Sequence, residues 1–330
     1  MAPLRIGILG AARIVPAALI KPARLVDDVT VTAVAARDKE KADKFASKHG
    51  IGRVHDSYEA LIADPDIDAI YNPLPNGLHG KWTIAALEAG KHVLCEKPFT
   101  ANADEAVDVA KVEARTGLVV MEAFHYRYHP LTERLIEITH DGTLGTIEHI
   151  HTWMIIPLLP RNDIRWQLSL AGGSTMDVGC YTIHLLRTLA QAEPEVASGS
   201  ARERSPGVDR WLRADMTLPD GVSGRITNGM LAARFLSLGA EVKGDKGVLR
   251  VMNPYAPQHF FRLSVRTQGG RQKYARLPKV TTYECQLRAF ADAVLRGEPF
   301  PTTTADAIAN MRVIDAAYRA AGMEPRQPSS

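Results

Sequence analysis

The sequence predicts an α/β protein, in which an N-terminal doubly wound parallel sheet is followed by a C-terminal α+β unit with a mostly antiparallel open sheet. Three observations carry this reading. The first third alternates short apolar runs with amphipathic segments. Apolar residues fall on both parities of most of those runs, as in parallel strands buried on both faces. After about Glu122 the rhythm changes to strand-like runs separated by turn signals. The division expected is 1–123 for dinucleotide binding and 124–330 for substrate binding and oligomerisation.

In chain order, strands are expected over 4–9, 30–36, 69–71, 92–95 and 118–121, with helices over 38–49, 57–63, 81–89 and 103–116 between them. Gly90 and Gly117 stand where left-handed helix C-caps belong, and Asn102 with Glu105 forms an asparagine version of the capping box. A Pro130-led helix runs to about His140 and precedes an alternating run over 146–155. A Gly-Gly-punctuated helix follows over 177–189. Strands are then expected over 196–202, 212–218, 224–228, 235–242, 248–251 and 262–267, and helices over 283–296 and 305–321. The tail 324–330 has the composition of a disordered end.

Composition removes several function classes. The 330 residues carry 40 Lys+Arg against 37 Asp+Glu, a net charge of +3 without a basic run suited to nucleic acid. No apolar stretch approaches the ~20 residues that span a bilayer, and a strand beginning at Leu4 leaves no room for a signal peptide. Three cysteines without a C-x-x-C spacing argue against a disulfide framework. A cytoplasmic enzyme with no membrane or nucleic-acid partner is expected.

The first strand ends in Gly10-Ala11-Ala12-Arg13-Ile14-Val15, which keeps only the first glycine of the dinucleotide fingerprint. Gly10 permits the tight turn, and Ala12 is small enough for a pyrophosphate to approach. At the second strand end Ala36 stands where an NAD enzyme usually places a carboxylate. Arg37 follows, with a fork suited to a 2′-phosphate, so NADP is favoured and NAD remains possible. Asp38 is close enough to act as a displaced carboxylate. The strands ending at Tyr71 and Cys95 lead into Leu74, Asn76 and His79, and into Glu96-Lys97-Pro98; ligands bind at such carboxyl ends. Asp177, Tyr181 and His184, spaced i, i+4, i+7, fall on one helix face. His149 and His151 share a strand face, but no third ligand is evident and no metal is expected.

Glu96-Lys97-Pro98, the Gly172-Gly173 pair followed by Asp177-x-Gly179-x-Tyr181, Met121 to Arg127, Asn253 to Pro257 and the final helix around Asp315 together resemble the glucose–fructose oxidoreductase / inositol dehydrogenase (Gfo/Idh/MocA) family. The resemblance covers nearly the whole chain. Tyr181, where inositol dehydrogenase-like members carry histidine, looks like the branch of dihydrodiol and D-xylose dehydrogenases. His125 and His184 are not usual there, and those positions are expected to face substrate.

The resemblance implies hydride transfer between nicotinamide and a carbinol carbon of a sugar, polyol or cyclic diol. Tyr181 is assigned as proton donor or acceptor, and Lys97, its pKa lowered by partial desolvation, as polariser and relay; the reverse assignment stays open. Glu96 and Asp177 orient Lys97 and a substrate hydroxyl. Gly10, Ala12, Arg13, Ile14, Arg37, Leu74, Asn76, His79, Glu96, Lys97, Arg165 and Trp166 are the expected cofactor residues, the last two from a segment that folds over the cofactor in similar enzymes. Lys97, His125, Asp177, Tyr181 and His184 are the expected substrate residues. An NAD-dependent glycosidase and a non-catalytic sugar or dinucleotide sensor share the fold; a retained Lys97 and Tyr181 and the lack of an export signal weigh against them. Too few helices to cover both faces of the second sheet predict a homodimer or homotetramer.

Overall fold

The computed structural model describes residues 2–157, 162–230, 236–272, 274 and 277–329. Six parallel strands form the first sheet: β1 (Leu4–Leu9), β2 (Val29–Ala35), β3 (Arg53–His55), β4 (Ala69–Asn72), β5 (His92–Cys95) and β6 (Val120–Glu122). Their spatial order, β3-β2-β1-β4-β5-β6, reverses direction beside β1, and the crevice there is where dinucleotides bind in doubly wound sheets. Side chains of β1, β4 and β5 are almost all buried, which explains their unbroken apolar reading. β3 was not expected. It is three half-buried residues at the sheet edge, too short and too polar for a periodic signal.

The helices between these strands begin and end at the expected chemistry. Asn102 accepts the Glu105 N–H at 3.0 Å, and the Glu105 carboxylate reaches back to the Ala101 N–H at 2.8 Å. Gly117 closes the same helix at φ 68°. The crossover after β1 carried no helical periodicity because Pro16 and Pro22 lie in it; it is a π-turn, Pro16–Ile20, running into Lys21–Ala23.

Among the described residues the second sheet has eight strands: β7 (Ile147–Ile156), β8 (Glu195–Ser205), β9 (Val208–Thr217), β10 (Ser223–Met230), β11 (Ser237–Gly244), β12 (Gly247–Met252), β13 (Arg262–Thr267) and β14 (Gly270–Gln272). The order is β14-β13-β12-β11-β7-β10-β9-β8, antiparallel except for the parallel pair β7–β10. Phe235, the expected start of one strand, lies outside the described residues, and β14 is a fully exposed addition. Helices Cys180–Ala190 and Thr304–Ala320 cover one face, where Thr152 of β7 donates to the Thr182 carbonyl. The other face carries His149, His151 and Trp153, with His149 bonded to Ser223 and His151 to Thr227. It also holds a groove of about 570 Å³ lined by Trp153, Leu238, Met252 and Phe260. No described helix is long and apolar enough to cross a membrane.

Two connections tie the sheets together. The helix Thr282–Arg296 returns from the second sheet to bury Leu287, Phe290 and Ala291 among Ile8, Leu19 and Ile20 of the first. The C-terminal tail, read from sequence as disordered, is instead bound. Arg326 is 2% exposed, donates to the Gly172 carbonyl and pairs with Asp209, while the Ser329 N–H and hydroxyl bond the Gly77 and Ser169 carbonyls. A polar composition predicts disorder when nothing can be buried. Here a buried carboxylate supplies the partner, through a contact 117 residues away along the chain.

Candidate active site

At the end of β1, Gly10 adopts φ +88°, a conformation that disfavours any side chain, and a Cβ there would approach the Leu74 side chain at 3.2 Å. Ala12 is half-buried beside it, and Arg13 and Ile14 are exposed at the mouth of the crevice. At the end of β2 the Ala36 side chain is buried and Arg37 is exposed. Asp38 is already committed: its carboxylate caps the helix Lys39–His49 by accepting the Lys41 N–H at 3.0 Å. Among the described residues this leaves the strand end with an unpaired guanidinium at Arg37 and no uncommitted carboxylate. The shape suits a dinucleotide, and the charge suits a 2′-phosphate.

Asn76 and His79 sit after β4, but both spend their polar atoms on the protein. The Asn76 amide donates to the Ala171 carbonyl at 3.1 Å. His79 is buried, with ring nitrogens 2.7 Å from the Pro98 and Leu74 carbonyls. Burial drives its pKa to about 4 against the pull of those carbonyls. It joins the loops after β4 and β5 rather than offering a free ring to a ligand.

Lys97 follows β5 and extends to the π-turn Thr175–Gly179 that opens the helix Cys180–Ala190. Its ammonium donates to the Asp177 carbonyl at 3.0 Å, lies 3.4 Å from the Asp177 carboxylate, and stands 5.0 Å from the centre of the Tyr181 ring. The expected fall in its pKa is not found. Burial alone lowers it, but Asp177 and Glu96 together outweigh burial, and the value ends above that of an ordinary lysine. Glu96 is itself buried, where desolvation raises its pKa, and it accepts the Tyr71 hydroxyl at 2.6 Å.

An ion-pair ladder leads away from Lys97. The second oxygen of Asp177 lies 3.3 Å from Arg165; Arg165 forks onto Asp163; Asp163 also accepts from Arg13 at 3.0 Å. The phosphate loop is thus connected by alternating charges to the lysine. Arg165, foremost, holds Asp163 down to about pKa 2. The neighbouring Trp166 is buried beneath the Arg204 guanidinium, and its Nε1–H has no acceptor among the described residues. Asp163 escaped sequence reading because no spacing links it to Arg13, 150 residues earlier.

Tyr181 is 7% exposed and packs edge-on against Phe124 and Tyr255. Its hydroxyl points to His125 Nε2 at 3.1 Å, so the Lys97 cation acts on the face of the ring rather than beside the hydroxyl. Burial pushes its pKa well above the usual phenol value. His125 is buried, and its other nitrogen meets the Thr282 hydroxyl.

Of the expected face Asp177, Tyr181 and His184, the first two both meet Lys97, while His184, three residues after Tyr181 in the same regular helix, is turned away from it. His184 stacks on Phe124 at 4.0 Å and lies between the Tyr126 hydroxyl and Asp306, inside the protein. It braces the aromatic wall behind Tyr181 and does not line the cleft.

Residues 4–124 match the family model of the Gfo/Idh/MocA oxidoreductases, described as an oxidoreductase family with an NAD-binding Rossmann fold, and residues 132–250 match the C-terminal domain of that family. The chain is 35% identical over 316 residues to a D-xylose 1-dehydrogenase (NADP(+)) of Haloferax volcanii, covering 96% of each. It is 33% identical over 319 residues to a dTDP-3,4-didehydro-2,6-dideoxy-alpha-D-glucose 3-reductase of Actinomadura kijaniata, covering 95% of this chain and 94% of that one. A trans-1,2-dihydrobenzene-1,2-diol dehydrogenase of Sus scrofa is 34% identical over 227 residues, 68% of this chain and 66% of that one. The solved 3-ketoreductase of Actinomadura kijaniata, in complex with NADP and TDP-benzene, superimposes with a TM-score of 0.89 at 30% identity over 96% of this chain and 98% of that one. With both domain models of the family matched in order along it, this chain belongs to the Gfo/Idh/MocA oxidoreductase family.

Proposed function

We propose that the protein is an NADP-dependent oxidoreductase acting on a secondary alcohol, ketone or anomeric carbon of a sugar, polyol or cyclic diol. The observation that carries this reading is the Lys97–Asp177 pair laid over Tyr181 at the carboxyl end of β5, in the crevice that begins at Gly10. NADP, when bound, supplies the nicotinamide that accepts or donates the hydride. Arg37 would hold the 2′-phosphate, and Gly10, Ala12, Arg13 and Ile14 the pyrophosphate, with Leu74 packed against the Gly10 turn. Arg165 and Trp166 would bind the dinucleotide from the second unit.

The proton chemistry belongs to the chain itself. Lys97 has two of its donors directed at Asp177 and keeps a third for a substrate oxygen. As a permanent cation it stabilises the alkoxide character that develops there. Tyr181 is the proton donor or acceptor; its high pKa keeps it protonated until negative charge appears beside it. Asp177 holds Lys97 in register, and burial of Tyr181 keeps water from its hydroxyl. The substrates named for the relatives favour sugars and cyclic diols as the first classes to test.

The chain is proposed to divide near residue 123 and to assemble as a dimer or dimer of dimers through the uncovered face of the second sheet; light scattering that returns a monomer at micromolar concentration contradicts the assembly. The activity is tested by following NADPH absorbance with D-xylose and other aldoses, inositols, anhydrosugars and trans-dihydrodiols, each with NADP and with NAD. Turnover of one class with NADP that Tyr181→Phe abolishes supports the reading. Equal turnover by Tyr181→Phe, or none with any panel member, overturns it.

A further inference from the structure

Tyr181 has a second side. Its hydroxyl lies 3.1 Å from His125 Nε2; His125 Nδ1 lies 2.8 Å from Thr282 Oγ1; Thr282 Oγ1 lies 3.2 Å from Gln258 Oε1. The far end fixes the direction of every bond. Gln258 Oε1 carries no proton, so the Thr282 hydroxyl donates to it. That uses the one proton Thr282 owns, so Thr282 accepts from His125 Nδ1–H. His125 is neutral, because burial foremost, and Lys97 after it, brings its pKa down to about 3. A neutral imidazole protonated at Nδ1 has a bare Nε2, which accepts from Tyr181. The remaining neighbour is the Tyr283 ring, 4.1 Å away centre to centre, which offers His125 a face and no competing bond.

The chain crosses from a closed place to an open one. Tyr181 and His125 are buried and Thr282 is fully so. Gln258 is half-buried and, with Val280 and Thr281, lines an open cavity of about 1150 Å³. Tyr181 itself is 7% exposed: Phe124 and Tyr255 pack against its ring, the Lys97 cation stands over the ring face, and its hydroxyl is turned to His125. A proton taken up by Tyr181 therefore needs a path that does not pass through the substrate.

We propose that His125 and Thr282 are positioning residues that conduct the proton of the carbinol oxygen from Tyr181 to the cavity at Gln258. This rests on the reading of Tyr181 given above. The carbinol proton bonds to Tyr181 Oη as the Tyr181 proton moves to His125 Nε2. The Nδ1 proton moves to Thr282 Oγ1 as the Thr282 proton turns from Gln258 Oε1 to a water of the adjoining cavity, which leaves as hydronium. The electron pair of the carbinol C–H bond leaves with its hydrogen as hydride to oxidised nicotinamide, so charge and atoms balance. The Tyr181–His125 and His125–Thr282 bonds already point outward, so alcohol oxidation needs only the Thr282 hydroxyl to turn from Gln258 to water; carbonyl reduction requires both bonds to reverse.

The tautomer is tested without turnover. In protein labelled with 15N-histidine, long-range correlation spectra give the protonation of each ring nitrogen, and the His125 signals are those missing in His125→Ala. A bare Nε2 and protonated Nδ1 support the assignment; a protonated Nε2 overturns it. The path is tested by turnover of the first panel substrate that reduces NADP. His125→Ala and Thr282→Val are expected to lower kcat roughly tenfold or more, the scale of one lost hydrogen-bonded link, with the KM for NADP unchanged. Added imidazole restores His125→Ala, and Thr282→Ser recovers most of what Thr282→Val loses. If Tyr181→Phe is inactive while both variants keep the wild-type kcat and pH profile, the path is wrong and the role of Tyr181 stands. If Tyr181→Phe is fully active, the proposed function fails, and this path with it.

Discussion

Replacing Arg326 by alanine removes the cation of the most deeply buried ion pair among the described residues, with side chains 1% and 0% exposed. The guanidinium donates to Asp209 at 2.8 Å, to the Gly172 carbonyl at 2.8 Å and to the Glu324 carbonyl at 3.1 Å, and it stacks 4.0 Å from the centre of the Tyr318 ring. Breaking a buried pair by removing one partner costs about 3–5 kcal/mol, mostly for the charge left behind. Asp209 keeps donors from Ser174, Thr175 and Tyr318, so the lower end, about 3 kcal/mol, is expected. For a chain of this length that is a fall in melting temperature of about 4 °C, read by circular dichroism. Ending the chain at Met323 is expected to do the same. Because Gly172 closes the segment that carries Arg165 and Trp166, NADPH binding by fluorescence titration weakens in parallel. A melting temperature within 1 °C of wild type, or a truncation that leaves it unmoved, refutes the buried pair as a structural clamp.

Lys97→Met keeps a flexible stem without the charge and is expected to lower kcat roughly 100-fold, with a far smaller change in substrate KM, in steady-state assays; retention of more than about a tenth of wild-type kcat counts against a role in proton chemistry. Ala36→Asp combined with Arg37→Ile moves preference from NADP toward NAD, measured as the ratio of kcat/KM for the two, because the new carboxylate accepts from a 2′-hydroxyl and repels a 2′-phosphate. Asp163, 2% exposed as a side chain, has a folded pKa of about 2, below its ordinary value, so its contribution of roughly 2 kcal/mol is present above about pH 4 and is lost as pH falls toward 2. Asp163→Asn is expected to flatten that limb of the acid unfolding curve.

The elements read most clearly from sequence are those whose signal is local. The capping box at Asn102, Gly117 after its helix and the unbroken apolar strands β1 and β5 each depend on neighbours a few residues apart, and each stands within a residue or two of its expected place. Lys97, Asp177 and Tyr181 were legible because they lie at a strand end or one helical turn apart. What escaped depends on pairs distant in sequence. The pKa of Lys97 is set by Asp177, 80 residues on, and Asp163 matters only through Arg13 and Arg165. His184 was misplaced for the same reason: the partners that draw it inward, Tyr126 and Asp306, lie 58 and 122 residues away.

The return of the helix Thr282–Arg296 to the first sheet has a consequence for how the chain holds together. Its Phe290 and Leu287 fill the core beside Ile8 and Leu19, so residues nearly the whole chain length apart close one hydrophobic cluster. A fragment ending near residue 123 leaves that seat uncovered and exposes apolar surface that the intact chain hides. The two sheets therefore share one fate on heating: loss of the second strips the cover from the first, and the intact protein is expected to melt in a single cooperative transition rather than one half at a time.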